Sequence, residues 1–220
     1  MHSSLLVGYY NAQILIDLGE DWLGKTEGLK LDAVLVTHAH PDHAGGLKDC
    51  NRCPVFATRE TWQALQQFNI VPGNVLSHRK PMDLSGMVGE AFPVEHSTRA
   101  PAVGYRITAN RVAIFYVPDV VYIHDRTQAL SGISMYVGDG STLTHSMVRK
   151  PKKHLIGHTP IRTQLTWCAK EGIGRAIFTH CGEEIVTSDE RTLGATLRQM
   201  ARHRGVEAAI AHDGMEVVLR

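Results

Sequence analysis

The chain has 220 residues, 43% of them hydrophobic, with 23 Lys and Arg against 22 Asp and Glu and a formal net charge of +1. That length suits one substantial domain, residues 1–220, with a sizeable core, and the charge balance gives no global field to attract nucleic acid or an anionic membrane. The longest apolar runs, such as 112–117, are too short to span a bilayer, and residues 1–20 lack the basic start and apolar stretch of a signal peptide, so a cytoplasmic protein is expected.

In chain order, residues 4–8 and 13–18 are two short β-type runs around a hairpin turn. Residues 32–37 form a third strand, nearly all apolar, as a strand buried on both faces would be. Pro41 suits the first turn of a helix predicted over 41–49, followed by a strand at 54–57 and a helix over 59–68 that Thr58 can cap. The middle is β-rich, with strands predicted at 91–96, 103–108, 112–117 and 133–137. A helix over 161–171, a strand at 176–179, a helix over 188–204 and strands at 208–211 and 216–219 complete the chain. Two mixed β halves with helices outside suggest an α/β protein of αββα sandwich type, two sheets packed face to face.

Cys50, Cys53, Cys168 and Cys181 do not form paired C-x-x-C sets and read as free thiols. Histidine carries the stronger signal, with 13 in the chain. His38, His40, Asp42 and His43 follow the 32–37 strand at once. A strand end presents alternate side chains to one side, so His38 and His40 can hold one ion, while the following turn aims Asp42 and His43 at a second. Such a polar cluster is costly unless it binds something. Imidazole and carboxylate without thiolate suit Zn²⁺, Mn²⁺ or Fe²⁺.

This H-x-H-x-D-H loop resembles the signature of the metallo-β-lactamase superfamily, and the likeness extends over nearly the whole chain because later motifs appear in order. It implies the αββα fold with metal at one rim, the family's usual first strand being absent or replaced, and two divalent ions, Zn²⁺ or Mn²⁺. Asp17 matches an early strand-end aspartate that holds the ligand loop from behind. His96 matches the third histidine of the first site, beside His38 and His40. His180 closes the second, beside Asp42 and His43. Asp119, 23 residues after His96, matches the bridging aspartate, with Asp139 as its competitor.

His158, in Gly157-His158-Thr159-Pro160, lies 22 residues before His180. This spacing resembles the phosphodiesterase branch, which includes tRNA 3′-end-processing endonucleases and the cyclic phosphodiesterase of carbon–phosphorus lyase pathways in phosphonate metabolism. The resemblance implies that His158 faces the substrate as a proton donor, so His158 and Asp42 are the candidate catalytic residues. Residues 101–107 and 213–216 are similar to motifs of the cyclic phosphodiesterase. A small phosphodiester is the expected partner. Nucleic acid is not expected, since the chain offers no long protruding arm, nor is a membrane or a structural zinc site. A homodimer stays open. The basic run 149–154 reads as a solvated loop or as a phosphate contact. Rival functions are a thioester or lactam hydrolase, which needs no His158, an RNA-processing phosphodiesterase, and an oxygen-dependent enzyme with one Fe²⁺ and Asp42 outside its coordination sphere.

Overall fold

The computed structural model describes residues 2–50, 53–70, 72–152 and 154–220. β1 (Leu5–Tyr9) and β2 (Ala12–Ile16) form the antiparallel hairpin expected, with Leu5 opposite Ile16. β3 (Ala33–Leu35), β4 (Val55–Thr58) and β5 (Asn74–Leu76) add in parallel to give a five-stranded sheet in the order β1-β2-β3-β4-β5. Its crossovers carry α1 (Pro41–Ala44) and α2 (Arg59–Leu65), and the Thr58 hydroxyl accepts from the Thr61 N–H at 3.2 Å to cap α2 as predicted.

The second sheet contains β6 (Met82–Leu84), β7 (Met87–Glu95), β8 (Ala102–Ala109), β9 (Val112–Tyr116), β10 (Tyr122–Ile123), β11 (Met135–Asp139), β12 (Arg175–Thr179) and β13 (Glu207–Ile210). Their order is β10-β7-β8-β9-β11-β12-β13, with β6 paired to β7. Helices α3 (Arg126–Leu130), α4 (Ile161–Lys170), α5 (Glu183–Val186) and α6 (Glu190–Arg202) complete it.

Three apolar layers make the sandwich. Ile14, Ile16 and Leu35 of the first sheet meet Tyr105, Ile114, Val137 and Ile177 of the second between the sheets. Phe115, Tyr136 and Phe178 point the other way, toward Leu130, Ile161, Leu165 and Leu197 of the helices. On the far side Leu15, Val34 and Ala57 lie under Ala44, Trp62 and Leu65. Strands β9, β11 and β12 read as continuous apolar runs because both of their faces are covered. The order is therefore helix, sheet, sheet, helix, as the element pattern predicted.

Three expected elements differ, among them the helix over 59–68, which is α-helical to Leu65 and ends as a 3-10 turn over Gln66–Phe68. The helix over 41–49 is α-helical only to Ala44 and continues as a 3-10 helix over Gly45–Asp49. Gly45 and Gly46 are poor helix formers, and Gly46 is pressed so closely on the Leu18 and Gly19 carbonyls that a Cβ there would clash. No strand forms at 216–219. Met215, Val217 and Leu219 still pack on the inter-sheet layer, so the alternation reported one-sided burial without ladder pairing. β5, β6, β10, α3 and α5 were not foreseen, each being too short to show a period. Among the described residues no helix is long and apolar enough to cross a membrane.

A buried amide joins α4 to the end of β11. The Gln164 side-chain oxygen accepts from Tyr136 Oη at 2.9 Å and from the Asp139 N–H at 3.0 Å. Its Nε2 donates to the carbonyls of Asp139 at 2.7 Å and Thr159 at 3.1 Å. Gln164→Leu would keep the volume but strand these groups, and an unsatisfied buried polar group costs about 1–3 kcal/mol. Denaturant unfolding of the variant should show a loss of at least about 2 kcal/mol, and an unchanged midpoint would show that the amide does not hold the layers together.

Candidate metal centre

The candidate residues come from separate strand ends that the sandwich brings to one rim. Asp17 follows β2, His38 to His43 follow β3, His96 follows β7, Asp119 follows β9, Asp139 ends β11 and His180 follows β12. Asp17 (φ 67°) and His180 (φ 53°) hold left-handed backbone conformations, which non-glycine residues seldom adopt without an outside constraint.

The first trio is His38, His40 and His96. His40 Nδ1 lies 2.9 Å from His38 Nε2 and 3.3 Å from His96 Nε2. The second is Asp42, His43 and His180, with Asp42 Oδ2 3.3 Å from His43 Nε2 and 3.2 Å from His180 Nε2. Asp119 stands between them. Its Oδ2 is 2.7 Å from His43 Nε2 and 3.7 Å from His38 Nε2, and its Oδ1 is 3.3 Å from His180 Nδ1. All seven sequence-predicted donors thus meet at one place, in groups whose atoms lie within 4.8 Å of one another.

Hydrogen bonds behind the rings set their tautomers. His43 Nδ1–H donates to Asp17 Oδ2 at 2.8 Å, and His96 Nδ1–H to the Gly157 carbonyl at 3.1 Å. His38 Nδ1–H donates to Thr37 Oγ1 at 3.0 Å, and the Thr37 hydroxyl donates in turn to Asp17. Each ring therefore offers an Nε2 lone pair to the centre, the arrangement that metal-ligating histidines use. His43 Nε2 and Asp119 Oδ2 are buried without a hydrogen-bond partner, although they are 2.7 Å apart. Two acceptors aimed at the same space, out of line for a hydrogen bond, are what a cation between them would satisfy. The third buried orphan among the described residues, Tyr116 Oη, belongs to the inter-sheet layer.

Electrostatics agree with this reading. Burial, then the charge of His43, holds the His38 pKa well below the ordinary imidazole range. Burial likewise lowers His40 and His96 against the pull of Asp119. Burial opposes the charge on Asp119, yet His43 and His180 outweigh it and keep the carboxyl ionised. For His43 burial disfavours a positive ring, but Asp119 and Asp17 prevail and raise its pKa. A positive charge is favoured at that position, whether as a proton or as a cation.

The open side of the centre is formed by Asp42, His180 and His158, whose side chains are 37%, 24% and 19% exposed, while those of His38 and His43 are fully buried. His158 Nδ1 is 2.8 Å from Asp139 Oδ2, 3.0 Å from Ser141 Oγ and 3.3 Å from Asp119 Oδ1. Burial opposes charging of this ring, but the hydrogen bond to Asp139 and the charges of Asp139 and Asp119 raise its pKa. Asp139 also accepts from the Val120 N–H at 3.0 Å and from the Ser141 N–H at 2.9 Å, so it braces the loop that carries Asp119. Sequence reading singled out neither Ser141, which bridges Asp139, His158 and His180, nor Gln164 behind them. Their roles lie in contacts between distant positions and leave no local pattern.

The comparisons with known proteins point the same way. Residues 12–181 match the family model described as "Beta-lactamase superfamily domain". The chain is 28% identical to exodeoxyribonuclease YycJ of Bacillus anthracis over 152 residues, 60% of this chain and 56% of that protein, so it spans about half the length of that relative. Its fold superimposes on the metallo-β-lactamase fold protein YhfI of Bacillus subtilis with a TM-score of 0.75 at 17% identity, covering 97% of this chain and 90% of that one. A diphosphatase from the PhnP family gives a TM-score of 0.72 at 22% identity, covering 98% and 82%. The chain belongs to the β-lactamase superfamily and has the metallo-β-lactamase fold, with its histidines and aspartates clustered so that they could hold divalent metal ions.

Proposed function

We propose that this chain hydrolyses phosphodiesters, with Zn²⁺ or Mn²⁺ held by His38, His40 and His96 on one side, by Asp42, His43 and His180 on the other, and shared through Asp119. The observation that carries the reading is His158. It stands on the open side of the donor set, with Nδ1 committed to Asp139, so Nε2 is the ring atom left to meet a substrate. The names of two relatives, an exodeoxyribonuclease and a diphosphatase, support hydrolysis at phosphorus, the first of them at a phosphodiester.

When bound, two divalent cations supply Lewis-acid charge and bring the pKa of water toward neutrality. The chain's residues do the rest. Asp17, Thr37 and the Gly157 carbonyl fix which ring nitrogens face the centre. Asp139 orients His158 and favours its protonated form, and Nε2–H delivers the proton to the leaving oxygen. General acid help of this kind is worth on the order of 10²- to 10⁴-fold. The centre itself asks for one phosphodiester group. Small diesters, cyclic sugar phosphates among them, are therefore the minimal substrates of this reading, in keeping with the motif likeness at 101–107 and 213–216.

His158→Ala should leave two ions bound per chain by metal analysis, while kcat on alkyl or cyclic sugar diesters falls by about two to four orders of magnitude. The deficit on bis-p-nitrophenyl phosphate should be far smaller, because p-nitrophenolate departs without a proton. Equal deficits on both substrates, or loss of an ion, would make His158 a ligand or a structural residue.

Asp119 and Asp139 can be separated by metal titration. Asp119→Asn removes a charge that faces both trios and should weaken loading of both ions, whereas Asp139→Asn should chiefly lower kcat by loosening His158. The reverse ranking in metal affinity would assign the bridge to Asp139.

A further inference from the structure

Between Asp139 and Glu171 the chain has no acidic residue. The same stretch carries Arg149, Lys150, Lys152, Lys153, Arg162 and Lys170, six of its 23 basic side chains. Taking these six from the net +1 leaves the remainder of the chain at −5, so the near-zero total hides a basic stretch within an otherwise acidic chain.

Part of this stretch folds as an arm. Arg149 and Ile156 pair as an antiparallel bridge with N–H to carbonyl distances of 2.8 and 2.9 Å, and the His154 N–H closes the tip on the Pro151 carbonyl at 3.2 Å. The base is fastened to the metal centre. The Met147 N–H donates to the His158 carbonyl at 3.2 Å, and the Gly157 N–H to the His96 carbonyl at 2.9 Å. Gly157 sits at φ 105°, where a Cβ would overlap the Met147 carbonyl, so the return of the arm needs glycine. Arg149, Lys150 and Lys152 are exposed, and among the described residues none of them has an acidic partner, unlike Arg79 and Arg126. Lys153 lies outside the described residues.

One scissile diester carries one negative charge, and the metal centre already faces it. Unpaired cations beyond His158 are surplus to that need. From Ile156 to His158 the chain advances two residues, at most about 7 Å, so the arm begins about where the next phosphate of a strand would pass. Residues 140–166 contain no Phe, Tyr or Trp, the large aromatic side chains that single-strand binders use to stack bases. We infer that the arm holds the phosphates flanking the scissile diester of a single nucleic-acid strand, reading its backbone and not its bases. This makes an oligonucleotide the substrate class and rests on the phosphodiesterase reading above. It departs from the sequence expectation of a small substrate, which rested on the likeness to the cyclic phosphodiesterase and on the lack of a long protruding arm. The near-zero net charge also hid the basic stretch.

The test compares the metal-loaded wild-type protein with the triple variant Arg149→Glu, Lys150→Glu, Lys152→Glu. Binding of a fluorescein-labelled oligodeoxynucleotide is followed by anisotropy across a salt series, and hydrolysis of the same strand is set against hydrolysis of bis-p-nitrophenyl phosphate. Neutralising a single-strand phosphate contributes about 0.7 to the slope of log K against log salt, so three contacts predict a slope smaller by about 2 in the variant. The loss of kcat/KM on the oligonucleotide should exceed that on bis-p-nitrophenyl phosphate at least ten-fold at low salt. An unchanged slope, or equal losses on both substrates, overturns the role of the arm. Wild-type protein that hydrolyses bis-p-nitrophenyl phosphate but neither binds nor cuts the strand overturns this inference and leaves the phosphodiesterase reading standing. Protein that hydrolyses neither overturns both.

Discussion

The carboxylate of Asp17 has no access to solvent, and three donors converge on it: the Thr37 N–H, the Thr37 hydroxyl and the His43 ring. A buried charge is tolerable only when it is so engaged. The engagement joins the end of β2 to the loop after β3 and fixes which nitrogen of His43 faces Asp119. Because Thr37 also takes the His38 Nδ1–H, one carboxylate sets two imidazoles at once. Gly19 and Gly46 let the chain close behind it, with Gly19 lying against the Asp42 carbonyl where a Cβ would not fit.

The second sheet repeats this device. Asp139 is equally buried and gathers the Val120 N–H, the Ser141 N–H, the Ser141 hydroxyl and the His158 ring. It is held from behind by Gln164, which also meets Tyr136 and the Thr159 carbonyl. Each sheet thus contributes one sequestered carboxylate whose work is to aim imidazoles. Asp119, which follows the central strand β9, faces rings governed by both of them. The centre is built by convergence of two rigid halves, so its geometry depends on how the sheets pack as much as on the residues that line it.

Much of this was legible in the chain itself, for reasons that differ by element. His38, His40, Asp42 and His43 crowd four donors into six residues, a density with no purpose in a core. His96, Asp119 and His180 were picked out by their likeness to the family's ligands, and each does stand at a strand end, where side chains reach the rim. The αββα layering followed from two mixed β halves with helices outside them. Periodicity misled where burial and pairing part company, as at 216–219, and where two glycines cut a helical pattern short at Ala44. The bracing by Ser141 and Gln164 had no local signature, since each links groups that only the fold brings together. The basic run was visible as charge, but its attachment beside His96 was not.

The left-handed backbone at Asp17 and His180 sets catalysis against stability. For an L-residue that conformation costs roughly 1–2 kcal/mol, and glycine at either position would relieve it. The two residues that equip the centre are therefore among those the backbone would most readily exchange. A chain that drifted to glycine at position 180 would recover part of what it lost in contacts and could persist as a folded but inactive relative. Loss of function and loss of fold are separable here, and abundance of the folded protein in a variant library is a poor proxy for an intact centre.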